Sequence, residues 1–144
     1  MAMINPYLNF GNNTEEAFNF YKSVFGGEFA TVMRNSDVPA DAMPPDAPPS
    51  DPNGIIHISL PIGNGTVLMG SDTPEYFGGV VMGNNFSISI SADSKQDADR
   101  LFNGLSAGGK ITMPMGDTFW GSYFGMFTDK FGVNWMVGYD APRQ

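Results

Sequence analysis

The chain has 144 residues, 42% of them hydrophobic and 13% aromatic, with a formal net charge of −8. That fits one folded domain with a real core, its acidic charge serving solubility. The seven Lys and Arg (Lys22, Arg34, Lys95, Arg100, Lys110, Lys130, Arg143) are scattered, so no phosphate-neutralising patch forms and nucleic acid is not an expected partner. With no Cys and one His, a disulfide framework, a thiolate zinc site and a single-chain two-His metal site are excluded.

The opening stretch "MAMINPYLNFG" has no basic region followed by an apolar core, so no secretory signal is expected. No apolar run approaches the roughly 20 residues of a membrane span. The expected setting is cytoplasmic, without a membrane partner.

In the first segment Pro6, Leu8 and Phe10 alternate with Asn5, Tyr7 and Asn9, the period of a half-buried strand. "NTEEAFNFYKSVFGG" follows. Asn13 as N-cap with Glu16 three residues on gives a capping-box-like start. Ala17, Phe20, Tyr21, Val24 and Phe25 form one apolar helical face, and Gly26-Gly27 ends it. Three strands are predicted next: "EFATVMR", "IIHISLPIG" and "GTVLMGSD", the last two joined by a turn at "IGNGT". Between the first two lies "DVPADAMPPDAPPSDPNG", with six of the eleven prolines and its loop at residues 38–54, which excludes a helix or a central strand. It reads as a surface loop, or as a lid or dimer arm.

The second half repeats this plan. Phe86, Ile88 and Ile90 alternate with Asn85, Ser87 and Ser89. Ser94 caps a helix with Asp97 at its third position and Ala98, Leu101, Phe102 and Leu105 on one face, closed by Gly108-Gly109. "KITMPM", "SYFGMFTD" and "VNWMVGYD" supply three strands, with "TDKFG" the turn before the last. Ala17 corresponds to Ala98, Phe20 to Leu101, Tyr21 to Phe102 and Val24 to Leu105, an offset of about eighty residues. The prediction is an α+β fold of two tandem βαβββ modules, 1–80 and 81–144, within one domain.

One helix per module covers one face of its sheet. Apolar parity assigns Pro6, Leu8, Phe10, Ile56, Ile58, Leu60, Phe86, Ile88, Ile90, Val133, Trp135 and Val137 to that side. The other parity holds Asn5, Tyr7, Asn9, His57, Ser59, Leu68, Gly70, Asp72, Asn85, Ser87, Ser89, Asn134 and Met136. Uncharged polar groups beside Met and Tyr suit a semi-enclosed cleft better than a solvated face. His57 is read three ways: as a hydrogen-bonded structural group, as a group orienting a polar ligand, or as a general base. A Ser-His-Asp triad is open only through it. Asp72 is its candidate partner, or a turn residue.

The stretch "DTFWGSYFGMFTDKFGVNWM" (117–136) holds both tryptophans. Parity puts Trp135 in the core, and "DKFG" is a turn with Gly132 at positive φ. "DTFWG" is a hairpin connection near the cleft mouth or a dimer contact. Phe119 and Trp120 are candidate ligand-facing rings there, with a structural or interface role as the alternative. With Tyr7, His57, Ser59, Asn85, Ser87 and Met136 they complete the candidate ligand-binding set.

"PYLNF", "EEAFNFYKSVFGGE", "HISL", "LMGSD", "LFNGLSAGGK", "DTFWG" and "TDKFGVNWMV" run in order through nearly the whole chain. Together they resemble the vicinal oxygen chelate superfamily (glyoxalase, bleomycin resistance protein and dioxygenase), and within it the PhnB-like branch. The resemblance implies curved sheets around a central cleft between the modules, and a homodimer. In metal-dependent relatives the ligands come from the first and last strands of each module. The matching positions here are Asn5 or Pro6, Leu68 within one residue, Asn85 and Met136; none is His, Glu or Gln. No cofactor is therefore expected and a divalent metal is disfavoured. The expected function is binding of a small, partly apolar organic ligand without a tightly bound metal. The alternative is a metal-dependent lyase, isomerase or dioxygenase with a non-standard or intersubunit site. No glycine-rich strand-to-helix turn suited to S-adenosylmethionine is present, which argues against a methyltransferase. The resemblance leaves open whether any reaction is catalysed.

Overall fold

The computed structural model describes residues 2–42, 51–73 and 78–141. The chain forms two compact units, Met1–Val81 and Met82–Gln144. Each is a four-stranded mixed sheet with one helix, and both follow the same strand, helix, three-strand order.

The first unit contains β1 (Tyr7–Phe10), α1 (Thr14–Phe25), β2 (Thr31–Arg34), β3 (Ile55–Gly63) and β4 (Thr66–Asp72), with short 3-10 turns at Asn35–Asp37 and Ala40–Ala42. Spatial order is β1-β4-β3-β2, with β1 parallel to β4 and the other pairs antiparallel. The β3–β4 hairpin turns on Asn64 (φ 53°) and Gly65 (φ 79°), the two left-handed positions of a type I′ turn. The part of the Pro-rich segment at 43–50 lies outside the described residues.

The inner face of α1 is Thr14, Ala17, Phe18 and Tyr21, all fully buried. It is rotated from the predicted stripe. Phe18 is the centre of the seam, edge-on to Phe10 (6.5 Å, 88°) and Tyr21 (5.6 Å, 73°), while Phe20, Val24 and Phe25 are half-buried. Phe18 fits because β4 has no side chain beneath it. A Cβ on Gly70 would lie 2.7 Å from the Phe18 ring and 2.8 Å from the Leu8 carbonyl oxygen. Burying each such ring contributes about 1.5–3 kcal/mol, against about 0–1 kcal/mol for an exposed pair such as Lys22–Glu28. The apolar seam therefore decides how α1 docks.

This seam corrects the strand parity. Leu8 and Ile58 are both register partners of Gly70, and Leu60 pairs with Leu68. Leu68, Gly70 and Asp72 therefore face α1, not the open side; their neighbours Val67, Met69 and Ser71 carry the open face. Alternation also breaks in β3, where Met33 pairs with His57 but Arg34 pairs with Ile55. The irregularity puts Ile55, 1% exposed, in the core in place of Ile56.

The N-terminus of α1 differs from expectation as well. Asn13 makes no side-chain cap. The Asp72 carboxylate does that work from the end of β4, with Oδ1 accepting the Thr14 amide (3.1 Å) and Oδ2 the Ile55 amide (2.8 Å). A carboxylate at a helix N-terminus also meets the positive end of the helix dipole.

The second unit contains β5 (Ile88–Ser91), α2 (Lys95–Ser106), β6 (Lys110–Asp117), β7 (Ser122–Thr128) and β8 (Asn134–Asp140), in the order β5-β8-β7-β6. Ser94 caps α2 as expected, accepting the Asp97 amide at 3.0 Å. Ala98, Leu101, Phe102 and Leu105 are buried. Phe102 lies edge-on to Phe127 (5.2 Å, 87°) and passes over Gly125, where a Cβ would lie 2.8 Å from its ring. Trp135 and Val137 are fully buried on this face. β5 is shorter than predicted: pairing with β8 begins at Ile88. Asn85 and Ser87 thus precede the strand, and Phe86 is 64% exposed instead of core.

The turn before β8 is built on Asp129, 3% exposed. Its Oδ1 accepts the Phe131 and Val133 amides, and its Oδ2 accepts the Trp135 indole N–H at 2.8 Å. Gly132, at φ 92°, closes the loop. A buried carboxylate is tolerated because charge-assisted hydrogen bonds satisfy it.

Candidate functional site

Each sheet has one face covered by its helix and one open face. On the open face of the first sheet, Tyr7 and His57 meet. Their rings stack at 5.7 Å and 29°, and the phenol oxygen lies 3.3 Å from His57 Nδ1. The register explains the meeting: Tyr7 and Ser59 both pair with Met69, and His57 lies two residues before Ser59 on the same face. Met33 is the cross-strand neighbour of His57. Tyr7 is 43% exposed, whereas Ser59 is nearly covered at 6%. Asp72 takes no part in this cluster, being on the opposite face with both oxygens engaged by backbone amides. The partner of His57 is a phenol.

On the open face of the second sheet lies a groove of about 330 Å³. Its walls are Ser89 and Ser91 from β5, Trp120 from the β6–β7 connection, Ser122 and Phe124 from β7, and Asp140 from β8. The floor is Gly138, the register partner of both Ser91 and Phe124. With no side chain at that central position, space opens between the serines and the aromatic wall. A Cβ on Gly138 would touch only Phe124, at 3.5 Å, and Tyr123 backbone oxygen at 3.8 Å. Trp120 is positioned by ring contacts with Phe119 (5.0 Å, 89°) and Phe124 (5.9 Å, 65°). The connection itself is tied by Thr118, whose hydroxyl donates to the Ser122 carbonyl and accepts the Ser122 amide. The Ser122 hydroxyl donates to Asp140 Oδ1.

Of the residues predicted for a site, Tyr7, His57 and Ser59 come together on the first sheet, and Trp120 stands on the groove of the second. Phe119 is 98% exposed and supports Trp120 from outside. Met136 is on the open face, flanked by Ser89 and Met126, and does not line the groove. Asn85 and Ser87 precede β5 and do not line it either. Ser91, Ser122, Phe124 and Asp140 lie outside the predicted set, although steps of two from Met136 reach Gly138 and Asp140, steps of two back from Thr128 reach Phe124 and Ser122, and Ser91 stands two beyond Ser89.

The first-strand and last-strand positions on the open faces are Tyr7 opposite Met69 and Ser89 opposite Met136. Asn5 uses its side-chain oxygen to accept the Val67 amide at 3.0 Å. Among the described residues no three His, Cys, Asp or Glu side chains come together. Thioethers, a hydroxyl, a phenol and an engaged amide do not fit the oxygen- and nitrogen-rich demand of a hard or borderline divalent ion.

Among the described residues, three groups have ionisation displaced by neighbours. Arg34 grips Glu15 with two nitrogens (3.0 and 2.5 Å), which lowers the Glu15 carboxyl and raises the guanidinium. Donation to Asp99 at 2.6 Å raises the Tyr123 phenol. Tyr123 shares the helix-covered parity of Phe127, and none of the three lines the groove or the Tyr7–His57 cluster.

The glyoxalase/bleomycin resistance protein/dioxygenase superfamily model matches residues 3–137. The chain belongs to this superfamily. It is 30% identical to Protein YjdN of Escherichia coli (strain K12) over 141 residues, 93% of this chain and 92% of that one. Among solved structures it is similar to protein PA1353 of Pseudomonas aeruginosa, with 39% identity, a TM-score of 0.80 and coverage of 97% and 98% of the two chains. It also resembles a Bacillus cereus PhnB protein described as a putative 3-demethylubiquinone-9 3-methyltransferase, with 27% identity, a TM-score of 0.69 and coverage of 96% and 99%. No helix among the described residues is long and apolar enough to cross a membrane.

Proposed function

We propose that this superfamily member binds a small, partly apolar organic molecule on its open sheet faces, without a tightly held metal, as a cytoplasmic homodimer. The observation that carries the reading is the groove over Gly138. Its volume of about 330 Å³ lies within the roughly 300–1,000 Å³ usual for small-ligand sites. It joins two aromatic rings, exposed Trp120 and half-buried Phe124, to a few polar groups, the composition that grips a flat ligand and fixes its orientation. On the first sheet, in the tautomer in which His57 Nδ1 accepts the Tyr7 hydroxyl hydrogen, the ring N–H is Nε2, which can donate to a ligand oxygen.

The metal-independent part of the reading rests on donor chemistry: Met69, Met136, Ser89 and Tyr7 stand where chelating relatives need stronger ligands. A methyltransferase activity is not favoured. The strand-to-helix connections are Gly11-Asn12-Asn13 and Ala92-Asp93-Ser94, and neither is a glycine-rich cofactor turn.

The test is Gly138→Leu, which fills the groove from its floor. A fragment library of flat apolar compounds is screened by amide chemical-shift mapping. Wild-type protein gives hits that shift Ser89, Ser91 and Ser122, and Gly138→Leu loses them while keeping a cooperative melt. Hits that persist in a folded Gly138→Leu protein, or none at all, overturn the reading. Metal analysis of protein purified without chelator tests the second part: stoichiometric Mn, Fe, Ni or Zn would sink it.

A further inference from the structure

We infer that the groove over Gly138 selects a flat aromatic ligand bearing an ammonium group or another strong hydrogen-bond donor, with Asp140 as its polar anchor. The inference rests on the proposed small-molecule reading and adds the ligand's chemical class. Among the described residues lining the groove there is no Lys or Arg, and Asp140 is the one charged side chain. Its Oδ1 takes the Ser122 hydroxyl. That bond orients the carboxylate, and among the described residues Oδ2 has no hydrogen-bond partner. Because Ser122 spends its proton on Asp140, its oxygen lone pairs remain for a donor on the ligand. The polar end of the groove is thus built to accept hydrogen bonds.

The apolar end is equally specific. Trp120 is 55% exposed and held edge-on by Phe119 at 89° and by Phe124 at 65°, leaving indole surface for a stacking ring. An indole face also attracts a cation. An anionic ligand meets the opposite: a carboxylate, no cationic side chain among the described lining residues, and a chain of net charge −8 that repels it at long range.

The test uses three indoles of one ring and different heads: tryptamine (ammonium), tryptophol (hydroxyl) and indole-3-propionate (carboxylate). Each is titrated into the full chain with amide shift mapping. Tryptamine is expected to bind most tightly and indole-3-propionate least, with shifts at Ser89, Ser91, Ser122 and Asp140. Asp140→Asn keeps an acceptor for Ser122. It is expected to weaken tryptamine about fivefold and to leave tryptophol within about twofold, the scale of a partly exposed charge pair. Added salt reproduces that pattern in wild-type protein. Trp120→Ala, at an exposed hairpin tip, should weaken all three without unfolding the protein.

Equal binding of the three heads, or tryptamine unaffected by Asp140→Asn, overturns the inference. If flat apolar fragments still map to the groove and are lost in Gly138→Leu, the small-molecule reading stands without it. If no indole shifts the groove amides, the inference also falls. Loss of the fragment hits as well would then take the broader reading with it.

Discussion

Asp72 separates a structural from a catalytic role in one experiment. Its two carboxylate oxygens hold the first amide of α1 and the first amide of β3 at 3.1 and 2.8 Å, so it ties three elements at one corner of the first unit. A hydrogen bond to a charged group contributes about 1.5–3 kcal/mol, and an unsatisfied buried amide costs a similar amount. Ile55, whose amide is one of the two, is 1% exposed, whereas the carboxylate is itself half-exposed, which argues for the lower half of that range. Asp72→Ala should therefore cost about 3 kcal/mol in all, including the helix-terminus charge. Asp72→Asn, which keeps one acceptor, should cost about half as much. At about 2–4 °C per kcal/mol for a chain of this size, the alanine variant should melt about 6–12 °C lower. Urea unfolding is the assay, with the midpoint falling and the slope unchanged. Ligand titration of folded Asp72→Asn should match wild type, while His57→Asn should show the reverse pattern: stability kept and any first-sheet ligand contact weakened. The reasoning is refuted if Asp72→Asn leaves the urea midpoint in place, or if it abolishes binding in a protein that is still folded.

Three further outcomes follow from the packing and the charges. Asp129→Ala strands two backbone amides and the Trp135 indole N–H, an expected loss of about 4 kcal/mol read by thermal melting, with a red shift of tryptophan emission. Gly70→Ala drives a methyl into Phe18 and the Leu8 carbonyl and should cost about 1–3 kcal/mol. Phe18→Leu in the same chain should recover part of that, giving a coupling of about 1 kcal/mol in a double-mutant cycle. The Arg34 hydrogen bond lowers the Glu15 carboxyl below its ordinary 4.5 despite partial desolvation. A depressed folded-state value means its contribution is present above about pH 4.5 and lost as pH falls through the lowered value. Glu15→Gln should accordingly be less stable than wild type near neutrality and converge with it in acid, as followed by urea midpoints across pH.

How much of this was legible in the sequence depends on whether a residue's role is set by its own strand or by a neighbour across the sheet. The duplicated plan, α2 with its Ser94 cap, the Asn64-Gly65 turn and the burial of Trp135 are local signals, and each is present as read. The parity of β4 was not legible locally, because Leu68-Met69-Gly70-Ser71 offers no clean alternation. The side of Gly70 is decided by Phe18, some fifty residues earlier in the chain. Phe18 itself is hidden in the sequence because Ala17, Phe20 and Tyr21 describe a plausible stripe without it. Asp72 looked like a partner for His57 because both were assigned to one face, and the same missing contact moved it there. In the second unit the alternation is sound, yet it runs on through Asn85 and Ser87, which precede the strand. Whether β5 reaches back to them depends on β8, which pairs only from Trp135 onward. The groove follows the same logic: it is a position where two cross-strand neighbours, Ser91 and Phe124, share a partner that is glycine. A single strand shows only a glycine, and the space appears when the register of all three strands is known. A site of this kind is an absence framed by three strands, so substitutions at Gly138 should report on it more cleanly than removal of any one wall residue.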